Sequence, residues 1–195
     1  MSNTSATGGF LQETAAPVTR ETLENVWHDI IVGVCGLNAK LVRPEYQVDP
    51  TAVPPIETNW AAFRLEVSGA NNFPYVVHIG RGEGSDRVVD HVPWRVTVFF
   101  YGPAAEDMAG ALRRGLHVEQ NRSVLKRAGG VVTSCGAPVS VPELAGMKWR
   151  RRVDLTIETT VTMISTYDVL NLKNAHGVIE TPGQIFDTEG LITNG

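Results

Sequence analysis

Two stretches of the sequence alternate apolar and polar residues with a period of two, and this pattern constrains the fold more than any other feature. In the first, the apolar positions are Val92, Trp94, Val96, Val98 and Phe100. In the second, one face has Val153, Leu155, Ile157, Thr159, Val161 and Met163, and the other has Arg152, Asp154, Thr156, Glu158, Thr160 and Thr162. Side chains of a strand alternate between the faces of a sheet, so both stretches predict strands with one buried face. The second covers about 13 residues, or roughly 43 Å, and a strand this long bends between two sheets or extends toward a partner.

Helical spacing appears in three other places. Apolar residues from Leu23 to Val34 form one stripe, which Thr19 can cap and Gly36 can end. Pro103 is expected to open a second helix, whose core face is Met108, Leu112 and Leu116, and a third is expected at about 118–128. Shorter strands are expected at 60–67, 75–79 and 131–134. This order predicts an α+β fold, with helices packed on one face of a mainly antiparallel sheet.

The two ends of the chain differ from the middle. Residues 1–18 are small and polar and predict a flexible, extended N-terminal arm. Residues 19–170 predict a single α+β domain, and residues 171–195 a mobile C-terminal tail with one short strand near Val178. Residues 1–18 and 182–195 are expected to become ordered only against partners.

Composition excludes several classes of function. The 195 residues are 43% hydrophobic and carry a formal net charge of −4, so nucleic acid is not expected as the main partner. No apolar stretch approaches the roughly 20 residues that cross a bilayer, so no membrane contact is expected. The first nine residues lack the basic and apolar regions of a signal peptide, which favours a cytosol-like compartment.

The sequence contains no recognisable catalytic or metal-binding motif. The five histidines are scattered, Cys35 and Cys135 are expected to be free and partly buried, and no cofactor or metal is expected. His78 and His91 lie on expected strands near Asp86 and Asp90. Hydrogen bonding between strands and a catalytic pair are both open interpretations of these residues.

The one dense basic run is residues 148–152, Lys-Trp-Arg-Arg-Arg. We interpret it as a turn before the second long strand that is solvated or contacts a neighbouring subunit, and binding of nucleic acid is the alternative. The polar face of that strand can pair with opposite charges on another copy. The candidate subunit-interface residues are therefore Arg150, Arg151, Arg152, Asp154 and Glu158.

An ordered set of short motifs resembles the neck or tail-terminator proteins of contractile-tailed bacteriophages. The set spans roughly residues 10 to 180, and it consists of Leu41-Val42-Arg43-Pro44 with Gln47 and Pro50, Trp60-Ala61-Ala62-Phe63, Phe100-Tyr101-Gly102-Pro103-Ala104-Ala105, Leu112-Arg113-Arg114-Gly115-Leu116, Gln120-Asn121-Arg122, Val141-Pro142-Glu143-Leu144, and Trp149 with Arg152-Val153-Asp154-Leu155. The part after Thr181 has no family pattern.

The resemblance implies a structural virion protein, not an enzyme. Such proteins form a homohexameric ring that caps the tail tube, ends its polymerisation and joins the tail to the head neck. The implied partners are other copies of the chain, the tail-tube protein, possibly the sheath protein and the head-neck connector, and genomic DNA passes through the ring without sequence-specific binding. The implied location is the tail or neck of the virion, after assembly in the host cytoplasm.

Two alternatives remain open. One is another ring-forming part of the virion, such as a head–tail joining protein or a tail-tube protein. A tube protein would stack on itself into a polymer. The other is a cytosolic small-molecule binder or enzyme, which needs convergent polar groups in a pocket.

Overall fold

The computed structural model describes residues 3–15, 17–47, 52–70, 73–172, 174–181 and 184–191, the last two ranges as backbone. The three α-helices are α1 (Arg20–Cys35), α2 (Ala105–Gly115) and α3 (Glu119–Arg127). The strands of the main sheet are β1 (Val42–Pro44), β2 (Trp60–Val67), β3 (Tyr75–Ile79), β4 (Ser85–Tyr101), β5 (Gly130–Cys135), β6 (Val139–Ser140) and β9 (Arg152–Tyr167). Two separate hairpins consist of β7 (Glu143–Ala145) with β8 (Lys148–Arg150), and of β10 (Asn174–Thr181) with β11 (Gln184–Leu191).

The two long strands lie at the centre of the main sheet. Its order is β1-β2-β4-β9-β5, with β3 paired to β4 and β6 paired to β9. The pairings of β2 with β4 and of β5 with β9 are antiparallel, and that of β1 with β2 is parallel. This architecture confirms the predicted α+β class.

Contacts along the chain divide it into two compact units. One consists of residues 1–15, 76–88 and 165–195, and the other of residues 16–75 and 89–164. In the first unit, the amides of Ser5 and Thr14 donate to the carbonyls of Asp168 and Thr166 at 3.1 and 2.8 Å. The predicted flexibility of residues 1–18, and the predicted boundaries after residues 18 and 170, stay predictions.

Helix α1 begins and ends where the sequence indicates. The side chain of Thr19 accepts a hydrogen bond from the Thr22 amide, and Gly36 ends the helix in the left-handed conformation at φ 65°. Leu23, Trp27 and Ile31 are almost completely buried on one face of the helix.

No helix in the described residues combines the length and apolarity needed to cross a membrane.

The main core lies between the helices and one face of the sheet. From the first alternating stretch, the core contains Trp94, Val96, Val98 and Phe100. From the second, it contains Leu155, Ile157 and Val161. The one polar residue of this face, Thr159, is 1% exposed and donates its hydroxyl to the Trp94 carbonyl at 3.2 Å. The buried hydroxyl therefore has a partner, and it links β9 to β4.

The junction between β4 and α2 depends on Gly102. Its φ is +102°, and a Cβ there would lie 2.6 Å from the Thr58 carbonyl oxygen and from Asn59 Oδ1. The same Asn59 oxygen accepts from the Ala104 amide at 2.9 Å, next to the first turn of α2. A larger residue at position 102 would therefore displace the segment that holds the start of this helix.

Three local predictions are corrected by the structure. Helix α2 begins at Ala105, so Pro103 lies in the preceding turn, where the Ala105 amide donates to the Gly102 carbonyl. The basic run is not a turn, because Lys148–Arg150 forms β8 and pairs with β7. The tail has more regular structure than one short strand near Val178, since β10 and β11 pair over eight residues each. The mobility predicted for the tail also concerns residues 182–183 and 192–195, which lie outside the described residues.

Leu155 tests the assignment of the two faces of β9. Its side chain is 0% exposed, so Leu155→Ala is expected to lower the free energy of unfolding by roughly 2–5 kcal/mol. Thr156→Ala is the control, because Thr156 is exposed on the opposite face. Urea unfolding followed by circular dichroism measures both, and a loss below about 0.5 kcal/mol for Leu155→Ala would show that the faces are reversed.

Candidate assembly surface

The face of the sheet opposite the helices carries an organised set of aromatic and charged side chains, here called the open sheet face. It consists of Trp60, Ala62, Arg64 and Glu66 of β2, Arg95, Thr97, Phe99 and Tyr101 of β4, and Arg152, Asp154, Thr156 and Glu158 of β9. The register of β2 with β4 places these residues in pairs, since Trp60 is opposite Tyr101, Ala62 opposite Phe99, Arg64 opposite Thr97 and Glu66 opposite Arg95. Alternation along each strand thus gives one sheet an apolar face under the helices and a charged face away from them.

Aromatic rings form the buried layer of this face. The rings of Trp60 and Tyr101 are stacked, with centroids 4.1 Å apart and planes 8° from parallel. Trp60, Ala62, Phe99 and Tyr101 form a second small core, against which Leu41 packs. Burial raises the pKa of the Tyr101 hydroxyl, so this group stays neutral at physiological pH.

Arginine side chains cover the aromatic layer. Two guanidinium groups contact the Phe99 ring, with Cζ of Arg152 at 4.6 Å and Cζ of Arg64 at 5.6 Å from its centroid. Cζ of Arg150 lies 5.9 Å from the Tyr101 centroid. Each cation–π contact is worth about 0.5–1 kcal/mol at an exposed site and more where water is excluded. The cations therefore shield the rings and present positive charge at the surface.

Carboxylates hold these cations in place. Asp154 accepts two hydrogen bonds from Arg152, at 2.7 Å from Nε and 2.8 Å from Nη2. Glu143 lies within salt-bridge distance of Arg150 and of Arg152, at 3.4 and 3.7 Å. The hydrogen bond to Asp154 is the main cause that raises the pKa of Arg152. A bidentate pair of this kind fixes the orientation of both side chains as well as their charge.

The structure brings together three of the five predicted interface residues. Arg150, Arg152 and Asp154 lie around Phe99 and Tyr101, and Glu158 lies farther along β9, where Oε1 accepts from Arg95 Nε at 2.7 Å. Arg151 does not join them. It is exposed and lines a separate groove of about 300 Å³ with Trp149 and Pro103. The charges predicted to pair with a neighbour thus already have partners within the chain.

Sequence reasoning missed Phe99, Arg64 and Arg95. They occupy the positions of β2 and β4 that alternate with the predicted core residues, so the period of two was the available signal. Their contacts with β9 needed the order of strands, which places β4 next to β9. Tyr101 is 9% exposed and belongs to the second cluster and not to the main core.

A second polar cluster lies in the unit that contains residues 76–88 and 165–195. His78 Nδ1 is 2.6 Å from Asp86 Oδ1, and His78 Nε2 is 2.8 Å from Asn171 Oδ1. The Asn171 amide nitrogen donates to the carbonyls of Gly80 and Gly82, which turns its oxygen toward the histidine. Because both ring nitrogens face acceptors, the arrangement is satisfied by the doubly protonated imidazolium. This supports the structural interpretation of His78 over the catalytic pair.

The described residues contain no group of three His, Cys, Asp or Glu side chains that could hold a metal ion. Cys35 and Cys135 are free and partly buried, as predicted, and burial raises the pKa of the Cys35 thiol to about 12. Aromatic and arginine side chains such as those of the open sheet face are enriched at protein–protein interfaces, so the geometry fits a protein that assembles with other chains.

Comparison with known families is consistent with this class. Residues 21–184 match the family of phage neck terminator proteins. The match covers most of the 195 residues, so the chain belongs to this family, and the resemblance found in the sequence is confirmed. The chain is therefore a structural protein of the phage tail and neck that contacts other proteins of the virion. No curated protein matches the chain.

The protonation of His78 leads to a prediction about pH. The hydrogen bonds to Asp86 and then to Asn171 raise the pKa of His78 above its ordinary value near 6.5. The folded state binds the proton more tightly, so this contribution to stability is fully present below about pH 6.5 and is lost as the pH rises through the folded-state pKa. The stability of the wild type relative to His78→Gln should therefore fall over that range.

Urea unfolding at several pH values and the NMR titration of His78 measure this effect. Thr156→Ala at an exposed position removes no titratable group, so it is the control and should leave the pH profile unchanged. A His78 resonance that titrates below pH 6.5 would contradict the assigned imidazolium.

Proposed function

We propose that the chain forms a ring that caps the tail tube, ends its polymerisation and joins the tail to the head neck. The observation that carries this proposal is the family match over residues 21–184. The open sheet face supports it, because none of the three α-helices contributes to the buried cluster on the charged side of the sheet. A ring needs one such surface on every subunit and needs no catalytic group.

The charges of the open sheet face suit a repeated contact between subunits. Arg64, Arg95 and Glu66 are between 43% and 49% exposed at their side chains, so each retains surface for an outside partner. Arg152 and Asp154 are 25% and 20% exposed and are fixed by their mutual pair. We propose that Arg150, Arg152, Asp154 and Glu158 set the register of the subunit contact, and that Arg151 contributes from the neighbouring groove.

The proposed partners follow from a position at the end of the tail. They are other copies of the chain in a homohexamer, the tail-tube protein of a contractile tail, the sheath protein and the head-neck connector. DNA passes through the ring without specific contacts, which agrees with the net charge of −4. The subunits fold and assemble in the host cytoplasm and end in the virion.

Tube assembly in vitro tests the proposal. Adding the purified protein to polymerising tail-tube protein should shorten the tubes in a dose-dependent way and place one ring at a tube end, both visible by negative-stain microscopy. A heat-unfolded sample of the same protein is the control. Tubes formed by the chain alone would identify it as a tube protein, and an unchanged length of the tubes would contradict the role in termination.

Charge reversal on β9 tests the proposed subunit contact. Asp154→Arg and Arg152→Glu should each shift the protein from ring toward monomer, because a closed ring repeats the same contact at every joint. Light scattering measures the assembly state, and circular dichroism checks that each subunit remains folded.

A swapped variant separates a contact between subunits from one within a subunit. Arg152→Asp combined with Asp154→Arg retains the internal ion pair but inverts the charge at each position. If the residues contact a neighbour, the swapped variant should remain monomeric like the single variants. Full rings from the swapped variant would show that the pair acts only within its own subunit.

A further inference from the structure

The main sheet ends at β5, whose outer edge has no further strand among the described residues. An unpaired edge presents backbone N–H and C=O groups that can bind another strand. Beside it lies a cavity of about 260 Å³ between β5 and α3, lined by Leu125, Val131 and Val132. Val131 lies in this edge strand, and its side chain is 53% exposed. The edge and the cavity together form a groove of the kind that accepts an added strand.

Positive charge surrounds this groove. Between residues 108 and 140 the sequence has one carboxylate, Glu119, and five cations, which are Arg113, Arg114, Arg122, Lys126 and Arg127. Arg122 and Lys126 line the cavity itself together with Glu119, whose carboxylate lies 3.4 Å from Lys126 Nζ, so the lining keeps a net positive charge. Arg113 Nε donates to the Gly136 carbonyl at 3.0 Å, which fixes one cation at the end of β5. An occupant of the groove is therefore expected to carry negative charge.

The C-terminal hairpin has the complementary features. β10 and β11 pair with each other over eight residues each and form a sheet of two strands. A hairpin of two strands is at best marginally stable in water and gains stability from a third strand. Residues 174–191 contain no Lys or Arg and three carboxylates, Glu180, Asp187 and Glu189.

The register of the hairpin collects its carboxylates on one face. Glu180 is opposite Ile185, Asp187 is opposite Val178, and Glu189 is opposite His176. Opposite residues share a face, and positions 176, 178 and 180 also share one because they are two residues apart. All three acidic residues thus belong to the same face of the hairpin.

We propose that the β10–β11 hairpin of one copy adds to the outer edge of β5 in a second copy, with its acidic face toward the cations of α3. This inference rests on the proposed ring, of which it specifies one joint. The contact joins two different surfaces, so it repeats from copy to copy in one direction and closes when the rotation between subunits allows it. Strand β5 has six residues and each hairpin strand has eight, so one hairpin strand is long enough to pair along the whole edge of β5.

An irregularity in β5 restricts which strand can bind. The pairing of β5 with β9 shifts between Val132 and Ser134, a β-bulge that leaves Thr133 without an opposite residue. Bulges bend an edge and reduce indiscriminate pairing. Recognition of the hairpin therefore depends on the cations beside the edge as well as on backbone hydrogen bonds.

Two charge variants of the full chain test the proposal. The hairpin variant carries Glu180→Lys, Asp187→Lys and Glu189→Lys, and the rim variant carries Arg122→Glu, Lys126→Glu and Arg127→Glu. Each variant alone places like charges at every joint, so assembly should weaken at least tenfold in light scattering. An equimolar mixture should recover rings, because the hairpin of each variant then meets the oppositely charged rim of the other.

The control reverses the exposed carboxylates of Glu21, Asp29 and Glu106 to Lys, and it should assemble like the wild type. A third variant with both sets of changes in one chain should also form rings. If this variant recovers but the mixture does not, the hairpin pairs within its own chain and the proposal is overturned.

The outcomes separate this inference from the proposed function. Rings from both single variants at wild-type concentration would overturn the hairpin contact while the ring itself stands. A wild type that forms open chains, which both variants dissolve and the mixture restores, would support the hairpin contact and contradict the closed ring. A wild type that is monomeric at all concentrations would overturn both.

Discussion

The pairing of β4 with β9 at the centre of the sheet is the constraint on which the other features depend. These strands have 17 and 16 residues, and apolar and polar side chains alternate from Val92 to Val98 in β4 and from Arg152 to Met163 in β9. Because alternate residues point to opposite faces, burying Val96, Val98 and Leu155 under the helices obliges Phe99, Arg152 and Asp154 to lie on the other side. The alternation along these two strands thus determines both the core and the open sheet face.

On the open sheet face, aromatic rings and arginine side chains cover the sheet where the opposite face has helices. Phe99, Trp60 and Tyr101 would expose large apolar areas if they faced water directly. The guanidinium groups of Arg64 and Arg152 cover the Phe99 ring, and Leu41 packs against the same cluster. The surface is therefore polar enough for a subunit in solution and contains the aromatic and arginine side chains that are enriched at interfaces.

The sequence predicted the parts of the fold that depend on local periodicity. The alternating stretches, the limits of α1 at Thr19 and Gly36, and the buried face of α2 are all set by neighbours close in the chain. The contacts of Arg64 and Arg152 with Phe99 join three strands that are far apart in sequence, so they needed the strand order. The β7–β8 hairpin and strand β11 were missed because short or weakly alternating segments carry little signal of their own.

The ion pairs of the open sheet face also affect the entropy of docking. A long side chain that becomes fixed at an interface costs about 0.5–1.5 kcal/mol in lost rotamer freedom. Arg152 is already fixed by Asp154 and by the Phe99 ring, and Arg95 is already fixed by Glu158. A partner that binds this face meets side chains whose conformations were selected during folding, so less ordering remains to be done at each contact. In the proposed ring, this lower entropic cost would apply at every joint without enlarging the buried surface.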